Sequence, residues 1–177
     1  AHDSLTGLVN RTEFERLLQH ALDRATQQKR QCALLDCDLD QFKVVNDTCG
    51  HAAGDDLLKQ LASILSSQLR ENDTHGRLGG DEFGAIMLEC EPTGAIKVAE
   101  KLRACTGEFR FLWQQKTFDI GVRIGVVFIS DSFAKNDSLL QAADEACYAA
   151  KESGRNRIHV YEPNDDTLER RRGEMQW

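Results

Sequence analysis

Apolar residues along the chain switch between two periods. Over 12–25 they stand at 14, 17, 18, 21, 22 and 25, the stripe of a helix laid on a core. The segment before it, Asp3-Ser4-Leu5-Thr6-Gly7-Leu8-Val9-Asn10-Arg11, is rich in turn formers, and Asn10 is placed to cap that helix. The short apolar run 31–39, bounded by charge, predicts a strand. Over 55–69 the apolar positions 57, 58, 61, 62, 64, 65 and 69 predict a second helix. Gly79-Gly80 then separates two short apolar pieces, as the turn of a hairpin does. A third helix is expected over 93–105 and a long strand over 117–129, where Phe118, Ile120, Val122, Ile124, Val126 and Phe128 alternate. A fourth helix over 136–151 and a last strand over 157–161 complete the order. Such alternation predicts a sheet with helices packed on it, and 177 residues fit one domain.

Charge narrows the range of partners. Lys+Arg 22 against Asp+Glu 29 leaves a net charge of -7, which argues against a nucleic-acid binder held by phosphate contacts. A small phosphate ligand stays compatible, since a metal ion and a few lysines neutralise it locally. Apolar runs such as Gly125-Val126-Val127-Phe128-Ile129 are far short of the ~20 residues of a membrane span. Ala1-His2-Asp3-Ser4 has neither the basic start nor the apolar stretch of a signal peptide. Of the 6 cysteines, Cys32, Cys37 and Cys147 sit within apolar segments and no Cys-x-x-Cys pair occurs. Buried thiols in a reducing, cytoplasmic setting are expected rather than disulfides or zinc. From Glu162 the periodicity dissolves into mixed charge, so 162–177 is expected to be a linker and 1–161 an excised domain.

Two acidic groups carry the candidate chemistry. Asp36, Asp38 and Asp40 alternate at the end of the first predicted strand, so period-2 geometry puts them on one face. Three like charges so close add nothing to stability, and a cation relieves them. The second group is Gly79-Gly80-Asp81-Glu82-Phe83, preceded by Arg77, in which the glycines allow a tight turn and two carboxylates follow. There is no Gly-x-x-x-x-Gly-Lys-Ser/Thr loop and no Gly-x-Gly-x-x-Gly, so a P-loop or dinucleotide fingerprint is absent.

The second group resembles the signature of the GGDEF family, diguanylate cyclase domains that make cyclic di-GMP from two GTP. The likeness extends along the chain. The segment from Asp3 to Arg11 resembles the family's opening motif. Asp38-Leu39-Asp40-Gln41-Phe42-Lys43-Val44-Val45-Asn46-Asp47, Gly50-His51 and Gly54-Asp55 resemble its nucleotide-site motif. Ala143-Asp144, Tyr148, Ala150-Lys151 and Gly154-Arg155-Asn156-Arg157 resemble its closing motif. The resemblance implies an α/β (α+β) ferredoxin-like fold of the palm type shared with nucleotidyl cyclases, built on a mainly antiparallel sheet.

The resemblance also implies roles. Asp38 and Asp81, with the Leu39 carbonyl, match the ligands of two Mg²⁺ (or Mn²⁺) ions per active site. Glu82 matches an acid needed through metal binding or proton transfer. Asn46 and Asp55 match the pair that reads guanine. Lys43, Lys151 and Arg155, with backbone N–H groups near Phe42, match phosphate contacts, and Gly79 and Gly80 the bend over which substrate lies. The symmetry of the product implies a homodimer, each subunit holding one GTP. Arg70 and Asp73 occupy the Arg-x-x-Asp position of a product-inhibition site five residues before Gly79. The stretch 168–177 resembles a joint into an EAL phosphodiesterase domain, which keeps a second reading: a GTP-binding regulatory module controlling that neighbour. Two positions depart from the pattern. Asp36 stands where an apolar or aromatic residue is usual, and Arg123 where Ser is common.

Overall fold

The computed structural model describes residues 1–130, 133 and 136–162; of residue 136 only the backbone is described. Helix α1 (Arg11–Gln28) begins where Asn10, in extended conformation, accepts a hydrogen bond from the Glu13 N–H at 3.0 Å. It buries Phe14, Leu18, Ala21, Leu22 and Ala25, the predicted stripe. Strand β1 (Cys32–Asp40) follows, then α2 (Phe42–Cys49), α3 (His51–Ser67) and the hairpin β2 (Thr74–Gly79) and β3 (Glu82–Met87). Pro92 opens α4 (Pro92–Glu108), where its missing N–H costs nothing. A small ribbon of β4 (Arg110–Trp113) and β5 (Lys116–Asp119) leads to β6 (Gly121–Ile129), α5 (Asn136–Glu152) and β7 (Ile158–Val160). No helix among the described residues is long and apolar enough to cross a membrane.

The main sheet has the order β2-β3-β1-β6-β7, antiparallel except between β6 and β7, which run parallel. This is the mainly antiparallel, helix-flanked sheet that was expected. Odd positions of β1 (Ala33, Leu35, Cys37, Leu39) pack with Leu57, Leu61, Ala99 and Leu102 of α3 and α4. Even positions Cys32 and Leu34 face α1 and α5 in a second core with Phe14, Leu18 and Ala143. Continuing the alternation, Asp36, Asp38 and Asp40 share that second face.

Two expectations needed correction. Helix α2 was not foreseen: it has eight residues and buries Val45 alone, too little for a periodic signal. The strand expected over 117–129 is two strands in different sheets, because the chain changes partner between Asp119 and Gly121. β5 pairs with β4, and β6 with β1. The alternation survives because both strands lay apolar residues on the same core. The stretch 163–177, most of the expected linker, lies outside the described residues.

One packing contact fixes the hairpin against α1. Gly76 and Gly84 are cross-strand partners, and a Cβ on either would meet the Phe14 ring at 2.7 Å. The fully buried ring therefore occupies the space where two side chains would stand. Phe14→Ala is expected to cost roughly 3–5 kcal/mol and Gly84→Ala about 1–3 kcal/mol. The double variant should lose less than the sum, because the new methyl enters the space the ring vacated. Urea denaturation of the three variants measures this; strict additivity would mean the contact is not formed.

Candidate active site

Register brings the two acidic groups together. Asp38 lies opposite Glu82 on β3 and opposite Arg123 on β6, so the three side chains share one face. The turn between β2 and β3 is closed by Gly80 in a left-handed conformation, φ +30°, and the Leu39 N–H donates to the Asp81 carbonyl at 3.2 Å. Arg77 braces the turn from the other side. It donates to the Gly80 carbonyl at 2.9 and 3.1 Å and pairs with Asp3 at 3.3 Å. Asp3 also accepts from the Thr6 N–H, so the opening segment is tied to the acidic turn.

The strand acids differ in surroundings. Asp36 is 3% exposed, flanked in the sheet by Gly84 and Gly125. A Cβ on Gly125 would lie 2.7 Å from the Cys147 N on α5, so α5 approaches the sheet closely here and covers Asp36. Burial first, then the charges of Glu82, Asp38 and Asp144, hold its carboxyl well above the usual range. Its Oδ1 has no hydrogen-bond partner. Oxygens of Asp36, Glu82 and Asp144 all lie within 4.8 Å of one another, an arrangement able to hold a divalent cation. Burial likewise raises Asp38 to about 7, helped by Glu82 and Asp81, while Arg123 opposes the shift. Asp81 and Glu82 are raised too, burial again the main cause. Arg11 stands 3.8 Å from Glu82. Asp40 accepts from the Asn156 N–H at 2.8 Å and pairs with Arg123 at 3.3 Å.

Besides a cavity of about 460 Å³ lined by Arg11, Asp36, Glu82 and Asp144, two more adjoin these acids. The larger, about 550 Å³, is lined by Leu39, Phe42, Lys43, Asp81, Lys151 and Arg155, together with Asp40 and Arg123. Most of the predicted phosphate and metal residues thus meet in one place, although they come from β1, α2, the hairpin, α5 and the loop that follows it. The smaller, about 150 Å³, contains Asp38, Asp144, Tyr148, Lys151 and Arg123. Asn46 and Asp55 do not line either. Asn46 sits on α2 against Gly54 of α3, its Oδ1 buried and unpartnered, and a Cβ at 54 would overlap it. Asp55 is exposed on the next position. Arg70 and Asp73 lie apart, before β2. The Asp73 carboxylate has no exposed surface and accepts from Arg70 at 3.1 Å, while Arg70 also donates to the Leu88 carbonyl at 2.8 Å.

Sequence reasoning gave Arg123 and Asp144 no role, and it counted Asp36 among three acids a cation relieves without making it a ligand in the family pattern. For Asp144 a signal existed, since 144, 148 and 151 are spaced to share one face of α5. For Asp36 and Arg123, only the register could reveal what they face.

The carboxyl shifts fix the pH dependence of stability in chelator-treated protein. Between about 4 and 7 the folded state keeps a proton on Asp38 that the unfolded chain has released. Stability should therefore fall as pH rises through that window. Asp38→Asn should flatten the slope, and Asp36→Asn should raise stability near neutral pH by removing a buried unpaired acid. Denaturation at pH 5 and pH 8 measures both; identical slopes in wild type and Asp38→Asn would refute the first.

Comparison with known proteins gives the setting. A family described as "Diguanylate cyclase, GGDEF domain" matches residues 1–157. The probable diguanylate cyclase DgcE of Escherichia coli K12 is 39% identical over 175 residues, 99% of this chain and 16% of that protein. The cyclic di-GMP phosphodiesterase PdeB of Shewanella oneidensis is 37% identical over 178 residues, 99% of this chain and 20% of that protein. The solved GGDEF domain of TpbB (YfiN) from Pseudomonas aeruginosa superimposes with a TM-score of 0.89 at 36% identity, covering 96% of this chain and 99% of that one. The chain thus spans a fifth or less of the first two proteins' length.

Proposed function

The chain belongs to the GGDEF family of diguanylate cyclase domains, and on that premise we propose that it condenses two GTP into cyclic di-GMP and two pyrophosphates. The observation that carries this reading is the meeting of Asp38, Asp81 and Glu82 with Lys43, Lys151 and Arg155 at one end of the central strands.

The site suits divalent metal. The buried, unpartnered Asp36 Oδ1 and the trio it forms with Glu82 and Asp144 are what a bound cation would relieve. Asp81 and the Leu39 carbonyl, on the larger cavity, and Asp38, on the smaller, are the further candidates. When bound, Mg²⁺ or Mn²⁺ would acidify a ribose 3′-hydroxyl and neutralise charge on the transferring phosphate. The rest falls to the protein's own groups. Asn46 and Asp55 read the guanine edge at the α2–α3 junction. Lys43, Lys151, Arg155 and backbone N–H groups near Phe42 hold the triphosphate. Gly79 and Gly80 leave room for it across the turn. The 3′-oxygen attacks the α-phosphorus, its proton passes to a carboxylate of the Asp81–Glu82 turn, and the bond to the β-phosphate oxygen breaks to release pyrophosphate. Each site holds one GTP, so two copies must face each other to close both links.

In this reading 1–161 is the cyclase domain and 162–177 a linker within a longer cytoplasmic protein. The likeness to a phosphodiesterase favours a second reading, a GTP- or cyclic-di-GMP-binding module that regulates a neighbouring EAL domain. The intact acidic turn supports synthesis over that alternative.

Incubating the purified chain with GTP and Mg²⁺ should yield cyclic di-GMP, identified chromatographically. Rate per subunit should rise with protein concentration. Asp81→Ala should lose at least about a hundredfold in rate, comparable with removing a charge-stabilising group. Binding of GTP without product would favour the regulatory module.

Arg70 is the ligand-facing member of the inhibitory pair, with Asp73 holding its guanidinium in place. Arg70→Ala should weaken cyclic di-GMP binding about tenfold or more, as loss of a charge-assisted pair does, and should leave the initial rate unchanged. Equal binding by wild type and variant would return Arg70 to the surface charges.

A further inference from the structure

Arg123 lies on β6, with β1 between it and the strand that leaves the acidic turn. Its side chain keeps 20% exposure, yet Nε is fully buried and makes no hydrogen bond. Asp40 lies 3.3 Å from that nitrogen, close enough to pair but not aligned to accept. Asp40 is already satisfied in part by the Asn156 N–H. Arg123 thus has a stem held beside Asp40 and exposure that belongs to other atoms than Nε.

Those atoms face both cavities. Two residues are common to the larger and smaller cavities, Arg123 and Lys151, and both are cations. The larger cavity carries Lys43, Lys151, Arg155 and Arg123 against Asp40 and Asp81. The smaller carries Arg123 and Lys151 against Asp38 and Asp144. A chain of phosphates passing from one to the other would run between these two side chains. A counter-ion for Asp40 alone would not need to reach both cavities. A guanidinium offers planar paired donors that suit phosphate oxygens and stays charged at any working pH.

We infer that Arg123 is a polyphosphate-binding residue, meeting the phosphate chain of GTP where the two cavities join. The inference rests on the cyclase reading above and adds a residue to the phosphate site. Its place opposite Asp38 puts the guanidinium on the side of the phosphates nearest the strand acids. There it offsets repulsion between those acids and the incoming polyanion.

The test compares guanosine with guanosine α,β-methylene triphosphate, which lacks the bond to be broken, by calorimetric titration in Mg²⁺. Arg123→Thr suits the strand; Arg123→Gln keeps the stem and a donor for Asp40, so folding is retained should the first variant lose it. Both should bind the triphosphate analogue about 10- to 100-fold more weakly than wild type, the range for a lost hydrogen bond to a charged group. Guanosine affinity should stay within about twofold, and pyrophosphate should compete less well by the same factor as the analogue. Unchanged analogue affinity in a folded variant would overturn the inference and leave the cyclase reading intact. Equal loss for guanosine and analogue would also overturn it, marking Arg123 as a support of the whole pocket. Absence of analogue binding by wild type would overturn the cyclase reading and this inference together.

Discussion

Concentrated like charge at one end of the central strands is the constraint on which the rest of the structure depends. Antiparallel register between β1 and β3 sets Asp38 opposite Glu82, and the alternation of β1 places Asp36 and Asp40 on the same face. In a water-poor setting Asp36, Asp38 and Glu82 repel one another and resist ionisation together. The arginines that approach them are arranged around the group. Arg11 stands by Glu82, Arg77 holds the turn carbonyl, and Arg123 leans on Asp40. Arg11 also opposes the rise at Asp36, but burial and the neighbouring acids outweigh it.

The two sides of the sheet therefore serve different ends. The side covered by α3 and α4 is apolar along the whole of β1 and supplies most of the cohesion. The other side is apolar only up to Leu34, and beyond that the same strand presents acids. A local rule is broken there, and the unbroken core opposite is what allows the fold to bear it.

Much of this was legible in the sequence. The first two long helices announced themselves by their stripes, and the hairpin by Gly79-Gly80. The shared face of Asp36, Asp38 and Asp40 followed from period 2 alone. What sequence could not supply was partnership. That Arg123 faces Asp38, and that Asp144 approaches Asp36 and Glu82, are facts of register and helix docking between segments up to about a hundred residues apart. The short α2 was hidden because it buries too little to leave a period, and β5 because its alternation runs on unbroken into β6. Asp73 shows the reverse: its position was plain, but its carboxylate proves to be enclosed by Arg70 rather than turned outward.

The contact between Gly54 and Asn46 has a consequence for how such chains can diverge. Asn46 stands where any side chain at 54 would have to go, so the packing of α2 on α3 and the placing of that amide are a single fit. The two positions cannot drift independently. A lineage that acquires even a methyl at 54 must move or replace the residue at 46 in the same step. Inheritance at these two sites is therefore joint, and a chain that has lost the glycine has lost the asparagine's place as well.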